Sequence, residues 1–369
     1  TLLIATGSKP ILIPAPGAEL PGVVTFRDLD DVEAMLVAAK KGGSAVVIGG
    51  GLLGLEAAAG LALNGMRTTV VHLMPTLMER QLDPNAAYLL QKAIEKRGIT
   101  VLTGANTSAI LGAGRVEAVK LDDGRMLPAD LVVMAVGIRA NAALAREAGL
   151  EVKRGVVVDD HLRTSDPNIF AVGECVEHRG QCYGLVAPLY EMAKTLAATL
   201  AGETVEGYAG SVTSTKLKVT GVDLFSAGDF SEGDETDEIV LRDPARGVYK
   251  RVVLRENRVV GAVLYGDTAD GSWYFDLLKK NADIGEMRNT LILGQAYQGG
   301  GILDPVVMVA ALPDDAEICG CNGVSKGAIT AAIAAKGLTT IEDVRAVTKA
   351  SASCGQCTAK VEALLAATL

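Results

Sequence analysis

Histidine and aromatic residues are both scarce. Three histidines occur in 369 residues, and aromatics make up only 4%, with a single tryptophan. Basic charge also falls short, with 35 lysines and arginines against 44 acidic residues and a formal net charge of −9. With no basic patch to displace counterions, a nucleic-acid partner or an anionic membrane surface is not expected. No uninterrupted apolar run reaches about 18 residues, so no segment reads as a membrane span. Six cysteines are too few for a secreted disulfide scaffold of this length, and a reducing, cytoplasmic compartment is expected. The histidines, His72, His161 and His178, all precede residue 207. The later chain therefore holds no imidazole to take a proton from a redox dithiol.

Small aliphatic residues and glycine fill the gap. Apolar residues reach 49%, and the 42 glycines are about 11% of the chain against a usual ~7%. Such a composition suits parallel α/β sheets and close approach of backbone to ligand. The length suggests two or three domains. Thr1 is not Met and residues 1–4 already read as a strand, so the chain reads as starting inside a domain.

Residues 1–42 hold that strand, a proline-rich loop, and a helix over 29–40 with Asp28 placed as its cap. Across 43–158 strand and helix alternate: strands at 45–48, 68–73, 100–102, 116–121 and 131–136, helices at 52–64 and 85–97. This rhythm predicts a parallel, doubly wound sheet. Residues 159–206 add a strand at 169–172 and a helix from Pro188. Residues 207–293 change to period-two strands, including a hairpin of 249–254 with 259–265, and read as an α+β domain. Residues 294–315, with Gly299, Gly300 and Gly301 in a row, read as a linker. Residues 316–369 read as a small helical module. Ser325 caps its first helix, Gly337 ends it, and Thr339 with Glu342 predicts a capping box for the next.

Gly49-Gly50-Gly51-Leu52-Leu53-Gly54 is a Gly-x-Gly-x-x-Gly run directly after a strand and opening a helix. Gly49 makes the turn, Gly51 admits a pyrophosphate, and Gly54 lets helix pack on strand. These residues, with Leu53 and Glu56, are the expected nucleotide site, and Glu56 is placed to orient the nicotinamide. The second strand ends without the usual ribose-binding acid. His72 stands there, able to bond the ribose or to cap the strand end, so NADH and NADPH are not distinguished.

Ala5-Thr6-Gly7-Ser8 and the segment running to Gly173 and Glu174 bracket that domain. Together with Val136-Gly137, their order resembles flavoprotein reductases with two dinucleotide-binding domains. The resemblance implies an FAD domain (1–42 and 159–206) interrupted by an inserted NAD(P) domain (43–158). It places Ala5, Thr6, Gly7, Arg27, Gly173 and Glu174 at the FAD, and Gly137 with the nucleotide set. Two departures stand out: Glu174 replaces the commoner aspartate, and Arg139-Ala140-Asn141 lacks the usual proline. The first flavin glycine loop is not in the chain.

Cys319-Gly320-Cys321 and Cys354-Gly355-Gln356-Cys357 sit in loops that feed helices. Four converging thiolates suit a [2Fe–2S] cluster or tetrahedral zinc. The first pair is tighter than common zinc spacing, and the pattern resembles the bacterioferritin-associated-ferredoxin type of cluster domain. The cluster is the preferred reading, with structural zinc and a disulfide as rivals. Cys175 and Cys182 read as buried inert thiols. No side chain is singled out as a catalytic acid, base or nucleophile, because the hard chemistry belongs to the cofactors.

Residues 173–188 (GECVEHRGQCYGLVAP), 214–218 (STKLK) and 319–327 (CGCNGVSKG) carry a closer likeness. Over essentially its whole length the chain resembles the large subunits of assimilatory NAD(P)H nitrite reductases. That implies FAD, NAD(P)H and [2Fe–2S] modules in this order, with 207–293 as an interface domain through which a homodimer forms. It also implies a later sirohaem and [4Fe–4S] part, beyond Leu369, where nitrite becomes ammonia, and a reductase small subunit or downstream domain as partner. The electron-transfer subunit of assimilatory nitrate reductase shares this architecture and is the main alternative. A non-catalytic NAD and iron–sulfur redox sensor is another.

Overall fold

The computed structural model describes every residue except 218–220, 232, 300–304, 320, 321, 354, 356 and 369, and omits the side chains of 217, 299, 305 and 308. The chain divides into two compact units, Thr1–Gly184 with Met192–Asp283, and Leu185–Glu191 with Ile284–Leu369.

In the first unit, five aliphatic strands form one parallel sheet. Their order is Val23–Thr25, Leu131–Met134, Ser44–Ile48, Arg67–Val71 and Thr100–Leu102. Both faces are buried, which is why these strands read as continuous aliphatic runs. Val47, Val70 and Val133 enter one core with Leu55 and Ala58 of the helix Leu52–Leu63 and Leu90 and Ile94 of the helix Pro84–Glu95. Val46, Val71, Val132 and Met134 enter another on the opposite face.

The opposite face corrects the doubly wound expectation. A three-stranded antiparallel sheet of Thr107–Leu111, Ala118–Leu121 and Met126–Pro128 contributes Ile110, Val119 and Leu121 to that core. Residues 116–121 were expected to continue the strand–helix rhythm. Only a few residues connect Ala118–Leu121 to Met126–Pro128, whereas a parallel return needs a crossover of a dozen or more. A hairpin is the geometry that remains.

Far along the chain, Leu2–Ile4 pairs in parallel with Ile169–Ala171. The two flanking segments are thus joined around everything inserted between them. Asp28 caps Leu29–Lys41 as expected, accepting the Asp31 amide at 3.0 Å while the Asp31 carboxylate faces the Asp28 N–H. The helix Val186–Leu200 begins slightly before its expected start at Pro188.

Residues 207–283 supply an antiparallel sheet in the order Ser214–Leu217, Leu224–Gly228, Arg258–Tyr265, Val248–Arg255 and Asp237–Asp243. The expected hairpin is present, and its turn residues Glu256 and Asn257 have φ of 46° and 56°. Two positive φ values match the twist of a right-handed hairpin. This sheet shares a core with the nucleotide-type helices through Tyr249, Val263 and Tyr265. Asp83 locks the joint. Its carboxylate accepts the Ala86 amide at 2.8 Å, capping Pro84–Glu95, and the Tyr249 hydroxyl at 2.6 Å. Arg251 lies 3.5 Å from the same carboxylate and holds Glu238 at 2.6 Å. Burial, reinforced by Asp83, pushes the Tyr249 phenol well above its ordinary range, so it stays a donor. Asp83→Ala removes a cap and the acceptor of a buried hydroxyl, and should lower stability by about 2–4 kcal/mol. The urea midpoint measures this; a change under about 0.5 kcal/mol, the scale of an ordinary surface substitution, would show that the joint does not depend on Asp83.

A second tie joins segments that follow the parallel pair Val156–Val158 and Val176–His178. Asp160 accepts two hydrogen bonds from Arg179, at 2.7 and 2.9 Å, and lies 2.9 Å from His178 Nε2. Arg179 and then His178 hold its carboxyl at about 2. A folded value below the unfolded one stabilises fully above roughly pH 4, and the gain is lost as pH falls toward 2. Asp160→Asn should therefore flatten the dependence of melting temperature on pH across that window. An unchanged slope would assign acid sensitivity elsewhere.

The second unit packs Lys326–Lys336, Ile341–Thr348 and Thr358–Thr368 around Ile329, Ile333, Val344, Val361 and Leu364. A short antiparallel pair, Glu317–Cys319 with Val324–Ser325, adds strand to the expected all-helical module. Ser325 caps its helix and Gly337 ends it in the left-handed region, both as expected. The next cap is displaced by one residue. Thr340 accepts the Asp343 amide at 3.2 Å and donates to its carboxylate at 2.7 Å, in place of Thr339 with Glu342. Val344 is buried in this core and Ile341 packs against it. Part of the expected linker is also helical, at Pro305–Ala310; Gly300 and Gly301 lie outside the described residues. Among the described residues no helix is long and apolar enough to cross a membrane.

Candidate cofactor and electron-transfer sites

Ile48, Val71 and Met134 sit in register at the carboxyl ends of three neighbouring strands. Gly49–Gly54 and His72 follow directly and Gly137 three residues on, so the sequence-predicted nucleotide residues lie at the carboxyl ends of these strands. Ligands of open parallel sheets bind at these ends. Gly49 has φ 121°, and a Cβ there would lie 2.2 Å from the Ala135 carbonyl oxygen. A Cβ on Gly54 would lie 2.0 Å from the Gly49 carbonyl oxygen. Protein packing explains these two. Gly51 is different: a Cβ there would meet nothing within 4 Å.

The helix Leu52–Leu63 begins on Gly51 with no side-chain cap, unlike the helices capped by Asp28, Asp83, Ser325 and Thr340. Its first amides are left for an anion. Leu53, in the first turn, is 41% exposed. Glu56 is half-buried, and burial raises its carboxyl above the ordinary range. The His72 ring is engaged on both sides. Nδ1 accepts the Gly50 N–H at 3.0 Å, and Nε2 lies 3.0 Å from Glu79. The accepting Nδ1 places the proton on Nε2, facing the carboxylate. His72 thus pins the glycine loop, a role the sequence did not reveal.

The flavin-type residues converge as well. Val172 N–H donates to Ile4 O at 3.0 Å, bringing Ala5-Thr6-Gly7 beside Gly173-Glu174. The Glu174 carboxylate accepts the Ser8 hydroxyl at 2.7 Å and ion-pairs with Arg27. The Thr6 hydroxyl donates to Asn141 O at 2.6 Å, and the Asn141 amide returns to Thr6 O at 3.2 Å. Gly7 and Gly173 have φ of 67° and 95°, with open space where a Cβ would stand. Such a cradle fits a ligand in close backbone contact. Ser8 and Asn141 were missed from sequence; their only signal was adjacency to the Ala-Thr-Gly turn and to the absent proline.

In the second unit, Cys319 and Cys357 are buried in one core although they lie 38 positions apart. Asn322 spans their loops. Its Nδ2 lies 2.6 Å from Lys349 O, 3.1 Å from Ser353 Oγ and 3.7 Å from Cys319 Sγ. Thr358 closes the second loop on Gly355 at 2.7 Å. Cys321 and Cys354 lie outside the described residues. Thiols from two distant cysteine motifs that enter one core suit a shared soft metal centre.

Cys175 is buried as expected, with Sγ 3.3 Å from Val172 O. Cys182 corrects its expectation because it is exposed. Partial shielding, then the nearby Glu177 charge, pushes its thiol up, which disfavours the reactive thiolate.

Residues 1–198 match the pyridine nucleotide-disulphide oxidoreductase family, 214–282 the rubredoxin NAD+ reductase C-terminal domain, and 317–367 the BFD-like [2Fe-2S] binding domain. The chain is 52% identical over 368 residues to a nitrite reductase [NAD(P)H] of Bacillus subtilis, covering 100% of this chain and 45% of that protein. It is 43% identical to the assimilatory nitrate reductase electron transfer subunit of Bacillus subtilis, covering 99% and 46%. It is 38% identical to the nitrite reductase (NADH) large subunit of Escherichia coli, covering 100% and 44%. The chain therefore spans less than half the length of these relatives. Among solved structures, a ferredoxin reductase from Rhodopseudomonas palustris aligns at TM-score 0.70 and 29% identity, over 76% of this chain and 70% of that one. A NAD-dependent persulfide reductase from A. fulgidus aligns at 0.72 and 26%, over 84% and 62%. With the glycine loop, the two flavin-type turns and the cysteine module in this order, the chain belongs to the pyridine nucleotide-disulphide oxidoreductase family and carries a BFD-like [2Fe-2S] binding domain at its C-terminal end.

Proposed function

We propose that this chain is the electron-input part of an NAD(P)H nitrite reductase, delivering reducing equivalents from NADH to a nitrite-reducing centre outside the residues described. When bound, FAD takes a hydride and releases electrons singly, and a [2Fe–2S] cluster carries them one at a time. The carrying observation is that one chain holds an uncapped glycine-loop helix and two distant cysteine loops drawn into one core.

In this reading Gly49, Gly51 and Gly54 seat the pyrophosphate on the free amides of the helix Leu52–Leu63. Leu53 and Gly137 flank the nucleotide, His72 fixes the loop, and Glu56 orients the nicotinamide. Ala5, Thr6, Gly7 and Gly173 approach the flavin with their backbone, while Glu174 is held in place by Ser8 and Arg27. Cys319, Cys321, Cys354 and Cys357 hold the cluster. The domain limits follow the sequence reading, with 207–293 as the face on which a second copy docks. Higher identity to the nitrite reductase, 52% against 43%, favours nitrite over nitrate.

Anaerobic titration of the holoprotein with NADH, followed by visible and EPR spectra, tests this. Flavin bleaching with a reduced [2Fe–2S] signal, reversed by nitrite with release of ammonia, is expected. Bleaching without a cluster signal in iron-replete protein overturns the relay. A cluster reoxidised by nitrate and not by nitrite overturns the assignment of acceptor.

A further inference from the structure

We propose that Asn322 is a positioning residue for the cluster: its side-chain amide clamps the two cysteine loops together and donates an N–H to the Cys319 sulfur, raising the reduction potential. The inference rests on the proposed cluster reading.

Asn322 Nδ2 lies 2.6 Å from Lys349 O, 3.7 Å from Cys319 Sγ and 3.1 Å from Ser353 Oγ, and its two hydrogens serve Lys349 O and Cys319 Sγ when Ser353 is the donor to the Asn322 side chain. The Ser353 hydroxyl also faces Asn322 Oδ1 at 3.3 Å. One side chain next to the first cysteine pair thus reaches the loop that leads into the second. In that loop Lys349 and Ser351 both have left-handed φ, 65° and 62°, and Thr358 ties Ser351 at 2.6 Å. Such values are costly away from glycine. The amide of Asn322 adds a tie from the other cysteine loop at Lys349, and the acceptor at Cys319 is a buried sulfur.

The chemistry follows from charge. A thiolate that accepts a hydrogen bond donates less charge to iron, which favours the reduced, more negative cluster. Hydrogen bonds to the sulfurs are one of the protein's controls over cluster potential.

Redox titration of the intact chain, read by the EPR signal of the reduced cluster, tests this with Asn322→Ala. Ser353→Ala is the control, since it loses a loop tie and keeps the donor to sulfur. Asn322→Ala should move the reduction equilibrium about tenfold toward the oxidised form, which is about 59 mV for one electron. Ser353→Ala should leave the midpoint unchanged. An unchanged midpoint in loaded Asn322→Ala overturns the inference, as does an equal shift in both variants. Should Asn322→Ala hold no cluster, Asn322→Asp keeps the size and sets an acceptor against the sulfur. A lowered midpoint in it supports the inference, and an unchanged one overturns it. Cluster loss in both, with an unaltered apo melting temperature, supports the clamp; with a lowered one, Asn322 only maintains the fold and the inference fails. Wild-type protein with flavin bleaching and no cluster signal removes the underlying reading instead.

Discussion

With serine in place of Cys319, the reduced-cluster EPR signal after NADH addition is expected to fall at least about tenfold, while bleaching of the flavin by NADH persists. A serine hydroxyl stays protonated where a thiol ionises, and it is a poor ligand for a soft centre. Cys319 is 2% exposed within the core of its unit, so solvent has little access to replace the lost ligand. The nucleotide loop belongs to the other compact unit, which is why its reaction with NADH is untouched. The two readouts separate cluster from zinc. If the cysteines held zinc, wild-type and variant chains would both bleach and neither would give the signal. A full signal in the Cys319→Ser protein would remove Cys319 from the ligand set.

The second large effect separates binding from folding at one residue. Gly51 has φ −82°, which any residue adopts, and space for a side chain. An aspartate there finds the favoured geometry of a helix cap. It competes for the same amides that the pyrophosphate would use and adds a like charge beside it. Gly51→Asp should weaken NADH binding on the order of 100-fold or more, since charge-assisted hydrogen bonds contribute about 1.5–3 kcal/mol each. The folded chain should be as stable as wild type or more so, by up to about 1 kcal/mol. Isothermal titration and thermal melts give the two numbers. Unchanged affinity would move the pyrophosphate away from this loop. Lost affinity together with lost stability would make Gly51 a packing residue like Gly54.

The contrast between Gly51 and Gly54 shows how far a sequence can be read. Their two roles were legible, Gly51 for ligand approach and Gly54 for packing; the structure supplies the contact itself, the Gly49 carbonyl against Gly54 and open space at Gly51. His72 was legible as an oddity at a strand end. Its partners were not, because Glu79 lies on an irregular segment whose course no periodicity encodes. The Glu174 departure was visible, and the Ser8 and Arg27 contacts that anchor its longer side chain were not. The strand at 116–121 was seen but given the wrong partners, since pairing depends on connection length and on which face needs cover.

Local chemistry explains what the sequence alone determined. Glycine spacing after a strand, caps such as Asp28 and Ser325, the two-residue hairpin turn and the cysteine motifs all act within a few residues, so the chain states them directly. Tertiary structure alone decided the antiparallel cover of the main sheet, the Asp83–Tyr249 joint, the His72 pin and the Asn322 bridge. Each of these depends on side chains that approach across many residues. Their meeting is fixed by burial of the aliphatic core and by the need to satisfy every polar group left inside it.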